Sequence, residues 1–480
     1  MADGSVDLSS PLAIHLVGIG GAGISAIGVI LSTMGHRVTG VDVNETKAWP
    51  SLTSAGIDPR VVEAGDLFAS AIDAGAELVA HSTAFPPTDA DRELAVSKGV
   101  RIVDRAGILA AICSQRRTVA VSGTHGKTST TAMLATLLAG VGADPSFLIG
   151  AVPPSLGAAA RWGGPDGVFV VEADESDGSF LELGASTAVV TNIDEDHLGF
   201  WGDIEAIETA FDRFVAEATT SVVCVDDPGG SGLAEQRANR VAAGNDSVTV
   251  GEASEARYRV RDVVVDRLAT TFELDVDGSS IGTVRIGTPG RHHARNAATA
   301  IAAAATTGVD PRAAADALAA YTGVARRFEV RGSAAGVTVV DDYAHNPGKV
   351  RALVSSAVEA GWGRVLVVFQ PQRWTRTRDQ WRDFGAALTG ADLVAVTEVY
   401  GAGEPPVEGI TGRLILAALL EKRPWASTAW TPTLDDAERW VLANVRPDDL
   451  VLTVGAGDVH VLAGRLVDAL TARVAAGRPG

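Results

Sequence analysis

The sequence predicts an α/β protein of three domains, each built on a largely parallel sheet. Three observations lead there. The chain has 480 residues, about three domains at roughly 150 residues each. Short apolar runs alternate with helical stretches, the pattern of parallel strands buried under helices. Glycine-rich segments directly follow two of those runs, at Gly18–Gly23 and Gly123–Gly126, where a strand-turn-helix unit places them.

The first module, 1–115, opens on the apolar strand Ile14-His15-Leu16-Val17, and a glycine turn then starts a helix reaching Met34. Val38–Val43 reads as a second strand and Glu77–Ala80 as another, and the module ends near Ser114-Gln115-Arg116-Arg117. Ala13–Ser32 is the most apolar window, yet it holds His15 and five glycines, which a lipid-facing helix does not favour. The second module, 116–327, starts on Thr118-Val119-Ala120-Val121 and carries the apolar strands Phe169–Glu172 and Ala188–Thr191. Residues 248–286 alternate as a small antiparallel hairpin region, Ala297–Ala305 is helical, and Val324–Phe328 is the exit linker. The third module, 328–480, has strands at Val337–Val340, Val365–Phe369, Leu393–Thr397 and Leu450–Val454 with helices between them, a doubly wound pattern.

Composition narrows the function. A hydrophobic fraction of 46% supports packed cores. The net charge of −19 repels polyanions, which argues against nucleic acid or an anionic membrane as the main partner. A phosphate-bearing ligand would therefore need a local cationic or metal-filled site. The two cysteines, Cys113 and Cys224, form neither a zinc spacing nor a disulfide framework. The opening residues, Met1–Asp7, lack the basic stretch of a signal peptide, so a cytoplasmic location is expected.

The strongest chemical signal is Gly123-Thr124-His125-Gly126-Lys127-Thr128-Ser129, between a strand and a helix. Glycines let backbone N–H groups approach phosphate, the helix start favours anions, the lysine reaches terminal phosphates and Thr128 can ligate Mg²⁺. The strict Walker spacing would put the first glycine at Val121, so this is a shorter loop. Two acidic strand ends follow. Glu172 opens Glu-Ala-Asp-Glu-Ser-Asp, and His197 closes Thr191-Asn192-Ile193-Asp194-Glu195-Asp196-His197. Both lie beyond carboxyl ends of strands, where α/β sheets bind ligands, and a carboxylate is a hard ligand for Mg²⁺. Composition leaves His197 open between ligand and surface residue.

Gly18-Ile19-Gly20-Gly21-Ala22-Gly23 fits a dinucleotide or nucleotide-diphosphate turn, with Asp42 at the end of the next strand as a ribose-binding acid. In the third module, Asp341-Asp342-Tyr343-Ala344-His345-Asn346-Pro347 and Gln370–Thr377 each follow a strand, and arginines there can fork onto a carboxylate. An NAD-dependent dehydrogenase would use the first turn but leaves the phosphate loop and the acidic strand ends without a purpose.

These motifs in this order, with GVARRFE at 323–329 and GAGD from Gly455, resemble the Mur ligases over nearly the whole chain. Within that family they look most like the branch that adds L-alanine. The resemblance implies a Rossmann-like N-terminal domain for the UDP-sugar, a P-loop ATPase-like central domain, and a Rossmann-like C-terminal domain for the amino acid. It implies that ATP and Mg²⁺ (or Mn²⁺) are used to join L-alanine to UDP-N-acetylmuramate for peptidoglycan, with a monomer or homodimer as the working form. A sister ligase attaching a murein peptide to the same sugar nucleotide is the alternative.

By position, Gly123 to Ser129 and Asn296 would hold ATP, and Lys127, Glu172, His197, Arg327 and His345 would serve catalysis. Thr128, Glu172 and His197 would organise metal. Gly18, Gly20, Gly21, Gly23, Ser25 and Asp42 would meet the UDP-sugar. Tyr343, His345 and Arg376 would meet the amino acid. The sequence departs from the family pattern at His293, Asn346 and Gln372. It has no lysine between His197 and Phe214, where several sister ligases carry one that becomes carbamylated.

Overall fold

The computed structural model describes residues 6–240 and 246–475, so most of the expectation for Met1–Asp7 lies outside the described residues. The chain divides into two compact units. The first comprises residues 1–262, 272–284 and 295–321, and the second residues 263–271, 285–294 and 322–480.

The first unit opens with a five-stranded parallel sheet of β1 (Ala13–Val17), β2 (Arg37–Asp42), β3 (Pro59–Val61), β4 (Leu78–His81) and β5 (Arg101–Asp104), ordered β3-β2-β1-β4-β5. The order reverses beside β1, so the crevice at its carboxyl end receives the turn beginning at Gly18. β3 and β5 escape a hydrophobicity reading because they are edge strands with little buried apolar surface.

A second sheet is formed by β6 (Thr118–Ser122), β7 (Ser146–Leu148), β8 (Ala160–Arg161), β9 (Phe169–Glu172), β10 (Thr187–Val190), β11 (Thr220–Cys224), β12 (Asp246–Gly251), β13 (Tyr258–Asp266), β14 (Ala269–Val276) and β15 (Ser279–Ile286). Its order is β15-β14-β13-β12-β11-β10-β6-β9-β7-β8. Strand β6 lies between β9 and β10, parallel to both. That placement brings the loops following three strands far apart in sequence to one edge. β12, at the start of the stretch expected to be a hairpin region, instead pairs parallel with β11. True hairpins come later, where Arg267-Leu268 and Asp277-Gly278 are connections too short for a parallel crossover. Asp277 and Gly278 both have positive φ, 50° and 77°, the type I′ geometry favoured by Asp-Gly.

One continuous core, holding Leu16, Ile27, Ile108, Ile112, Phe169, Phe180 and Phe211, underlies the first two sheets. The helix Lys127–Gly140 behind β6 buries every residue from Ser129 to Leu138. Each leucine buried there contributes roughly 1.5–3 kcal/mol, which anchors the helix start that carries the phosphate loop.

In the second unit, β16 (Glu329–Ala334), β17 (Val337–Asp342), β18 (Arg364–Phe369), β19 (Leu393–Val396), β20 (Ser427–Trp430) and β21 (Asp449–Val454) are ordered β16-β17-β21-β18-β19-β20. Only β16 is antiparallel, with a register shift between Val330 and Gly332. β17 and β18 flank β21, so the loops starting at Tyr343, Gln370 and Gly455 gather at one carboxyl edge.

Candidate active site

The phosphate loop takes its shape from two glycines and from its neighbour strand. Gly123 (φ +128°) and Gly126 (φ +84°) occupy backbone conformations that side chains rarely adopt. A Cβ on Gly123 would lie 2.2 Å from Thr191 Oγ1, and one on Gly126 would lie 2.8 Å from Asn296 Oδ1. Asn192 clamps the loop: its Oδ1 accepts from His125 N at 2.9 Å and its Nδ2 donates to the His125 carbonyl at 2.8 Å. Thr124 Oγ1 accepts from Asp194 N, and Ser129 is buried in the first helical turn.

Lys127 Nζ donates to the Gly123 carbonyl at 2.8 Å and to Glu175 Oε2 at 2.6 Å. Thr128 Oγ1 donates to Glu172 Oε1 at 2.8 Å, while Glu172 Oε2 accepts from Gly150 N at 2.7 Å. The structure therefore brings Lys127, Thr128, Glu172 and Asn296 to one loop.

His197 is held differently. Its Nε2 lies 3.9 Å from both Glu175 Oε1 and Asp196 Oδ2. Among the described residues, no group of three or more His, Cys, Asp and Glu side chains is gathered as a metal cage. A hydroxyl and one carboxylate still suit Mg²⁺, which in phosphoryl-transfer sites usually takes one or two carboxylates and completes its shell with phosphate and water. Glu175 went unassigned in the motif reading, although it sits in the same acidic segment. Burial pushes its carboxyl up, and the Lys127 ammonium opposes that shift.

At the first turn, Gly18 and Ile19 donate their N–H groups to the Val41 carbonyl, holding the chain against β2. Asp42 accepts from Gly20 N at 2.9 Å and from Val43 N at 2.8 Å. A ribose hydroxyl would have to share an oxygen with these amides. A Cβ on Gly20 would fall 2.5 Å from Thr46 Cγ2, so the turn's own packing requires that glycine. Gly21 precedes the helix Ala22–Thr33, Gly23 faces Arg105, and Ser25 Oγ donates back to the Ala22 carbonyl.

In the second unit, two adjacent arginines both lie over the Tyr343 ring, with the Arg326 guanidinium 4.8 Å from its centroid. Arg326 is a strut: it lies 3.3 Å from buried Asp341 and donates to the Gly455 carbonyl at 2.8 Å. Arg327 lies over the Tyr343 ring, 5.5 Å from its centroid. At the end of β17, Asp342 is buried and accepts from Phe328 N and Ala344 N. His345 packs edge-on against Tyr343, and its Nδ1 donates to the Tyr343 carbonyl at 2.9 Å. A carbonyl can only accept, so the proton sits on Nδ1 and Nε2 keeps a lone pair.

The departures from the family pattern acquire local roles. Asn346 caps the helix Pro347–Glu359, accepting from Lys349 N. Gln372 Oε1 accepts from Arg376 Nη1 at 3.2 Å. His293 is buried, its ring centroid 4.1 Å from that of His292 and the two planes tilted by 42°. Positive φ values recur beside these groups, at His197 (54°), Arg326 (60°), Phe328 (48°) and Arg373 (67°). Such strain persists where surrounding structure enforces it.

Burial lowers His345 to about 4, with Arg376, Lys349 and Arg327 acting in the same direction and the Tyr343 carbonyl against it. Burial also lowers His15 to about 4. Both folded values lie below the unfolded 6.5, so the unfolded chain binds more protons between those limits. Each histidine contributes stability that is fully present above pH 6.5 and falls by about 1.4 kcal/mol per unit as pH drops towards 4. Urea midpoints should fall between pH 7.5 and 5.5, and His15→Gln should flatten that fall. An identical pH dependence in the variant would remove His15 from the account.

Family models match in chain order: the Mur ligase family catalytic domain over residues 13–117, the Mur ligase middle domain over 121–304, and the Mur ligase glutamate ligase domain over 326–457. The chain is 41% identical to the UDP-N-acetylmuramate–L-alanine ligase of Thermobifida fusca, across 95% of this chain and 96% of that protein. It is 40% identical to the enzyme of that name from Acidothermus cellulolyticus, across 96% and 95%. Among solved structures, the UDP-N-acetylmuramate–alanine ligase of Thermotoga maritima superposes with a TM-score of 0.76 at 27% identity, covering 96% of this chain and 99% of that one. A murein peptide ligase from Psychrobacter arcticus shares the fold, with a TM-score of 0.64 at 23% identity. Matched from end to end at this identity, the protein belongs to the Mur ligase family.

Proposed function

We propose that this chain is the ATP-dependent ligase that joins L-alanine to the lactyl carboxylate of UDP-N-acetylmuramate in peptidoglycan precursor synthesis, releasing ADP and phosphate. The observation that carries it is the phosphate loop with Lys127 and the Thr128–Glu172 pair on one sheet edge. The full-length likeness to L-alanine ligases supports the choice of amino acid. Residues 1–115 would take the sugar nucleotide, 116–327 ATP, and 328–480 the amino acid. No helix among the described residues is long and apolar enough to cross a membrane, in keeping with cytoplasmic substrates.

A carboxylate and an amine do not condense unaided in water. The muramyl carboxylate attacks the γ-phosphorus of ATP, ADP departs, and an acyl phosphate forms. The L-alanine amine then attacks the acyl carbon, and the tetrahedral intermediate collapses to the amide with loss of phosphate. Lys127 and the loop amides hold and neutralise the phosphates through this transfer. Thr128 and Glu172 would hold Mg²⁺, which supplies further positive charge when bound. Arg327, His345 and Arg376 orient the amino acid, with Gln372 fixing the Arg376 guanidinium.

The deciding experiment is phosphate release with ATP, Mg²⁺ and UDP-N-acetylmuramate, comparing L-alanine, glycine, L-serine and a murein tripeptide. Joint dependence on the sugar nucleotide and L-alanine is expected. Turnover with the tripeptide alone would transfer the assignment to the murein peptide ligases. Arg376→Ala should raise the KM for L-alanine by one to two decades, the cost of roughly 1.5–3 kcal/mol for one charged hydrogen-bonded pair. Its KM for ATP should stay near the wild-type value. A large ATP defect with normal L-alanine dependence would place Arg376 elsewhere.

A further inference from the structure

The side chain of Glu175 is only 4% exposed, and one oxygen meets Lys127 while the other, Oε1, is buried without a hydrogen-bond partner. A carboxylate beside a triphosphate seat repels the ligand, and a buried ion pair adds little net stability once desolvation is counted. Neither affinity nor stability explains it.

The geometry around it does. Lys127 Nζ has three protons; Gly123 and Glu175 take two, leaving one for phosphate with the ammonium already aimed. On the other side, His197 Nε2 lies 3.9 Å from the open Oε1 and equally far from Asp196 Oδ2, each about 1 Å short of a hydrogen bond; of the two carboxylates, Glu175 is the one that also holds Lys127. The two segments are also fastened by a second contact, as Trp201 Nε1 donates to the Glu175 carbonyl at 3.0 Å. Trp201 ends the short helix that begins immediately after His197.

We propose that Glu175 is a positioning residue that joins Lys127 and His197 into one unit, Oε2 fixing the lysine and Oε1 receiving the His197 Nε2–H. This rests on reading the loop as the ATP site. Held so, His197 presents Nδ1 as its lone-pair nitrogen, the arrangement by which a carboxylate orients a histidine towards a ligand. The acidic strand end then works as two carboxylates with separate duties. Glu172 serves Thr128, and Glu175 serves the lysine and the histidine.

Glu175→Gln keeps the shape and removes the charge. In EDTA, calorimetric affinity for ATP should be unchanged or up to about tenfold tighter, because a repelling charge has gone. With all substrates, kcat should fall at least about tenfold without a matching rise in the KM for ATP. The ¹⁵N imidazole shifts of His197 should move away from the Nε2–H tautomer. Unchanged kcat together with unchanged His197 shifts overturns the proposal. So does a parallel loss of ATP affinity, kcat and melting temperature, which marks a residue needed only for folding. If the glutamine variant does not fold, Glu175→Asp supplies the same readings: lower kcat with moved imidazole shifts supports the linkage, and neither change overturns it. A wild-type protein that binds ATP but shows no turnover dependent on UDP-N-acetylmuramate and L-alanine rejects the ligase reading instead, and leaves the ATP affinity and imidazole shifts to judge Glu175.

Discussion

Lys127→Ala should lower turnover by roughly 10³–10⁵-fold, the range measured when a cation facing a transferring phosphoryl group is removed. Binding of UDP-N-acetylmuramate, followed by calorimetry, should survive, because the glycine turn at Gly18–Gly23 belongs to a different sheet. The same substitution should also cost stability. It strips the cation from Glu175, whose Oε2 is 2.6 Å from Nζ, and breaking one side of a buried pair costs about 3–5 kcal/mol. Adding Glu175→Gln to Lys127→Ala should therefore restore most of the lost melting temperature while turnover stays abolished. Substantial turnover in the single variant, or a double variant no more stable than the single, would show that Lys127 is not the central cation of this loop.

Glu172→Gln should lower kcat by about two to three decades, comparable to losing one preorganised electrostatic partner in an active site. Both Glu172 oxygens accept, one from Thr128 Oγ1 and one from Gly150 N. A glutamine must point its NH₂ at one of those donors. The Mg²⁺ concentration for half-maximal rate should rise in Glu172→Gln. An unchanged Mg²⁺ titration would remove Glu172 from the metal site. His197→Ala is the informative comparison: its Nε2 lies 3.9 Å from Glu175 as well as from Asp196, and on the proposed linkage its defect should resemble that of the Glu175 variants.

The pattern of strands and the chemistry of the loops were legible because both are local. An apolar run bounded by glycines declares a buried strand and a turn, and Gly123-Thr124-His125-Gly126-Lys127-Thr128 carries its whole mechanism within six neighbours. The alternation read over 248–286 was visible for β13 to β15 but not for β12, which pairs parallel, and the strand β17 was likewise visible, whereas the edge strands β3, β5 and β20 were not, since a half-exposed edge needs no apolar run.

The partners of these groups were decided by strand order. Because β6 lies between β9 and β10, Lys127 meets Glu175 forty-eight positions away and His125 meets Asn192 sixty-seven away. From sequence alone, the four acids in Glu-Ala-Asp-Glu-Ser-Asp cannot be told apart by partner. Likewise Asp42 looked free for a ribose until the turn brought Gly20 N to its carboxylate, and Asn346 was a bare departure from the family pattern until it capped a helix. The sequence by itself determined which chemical groups line each strand end. Only the tertiary structure decided which of them pair, because a hydrogen bond depends on separations of about 3 Å that strand order and loop closure set, not on distance along the chain.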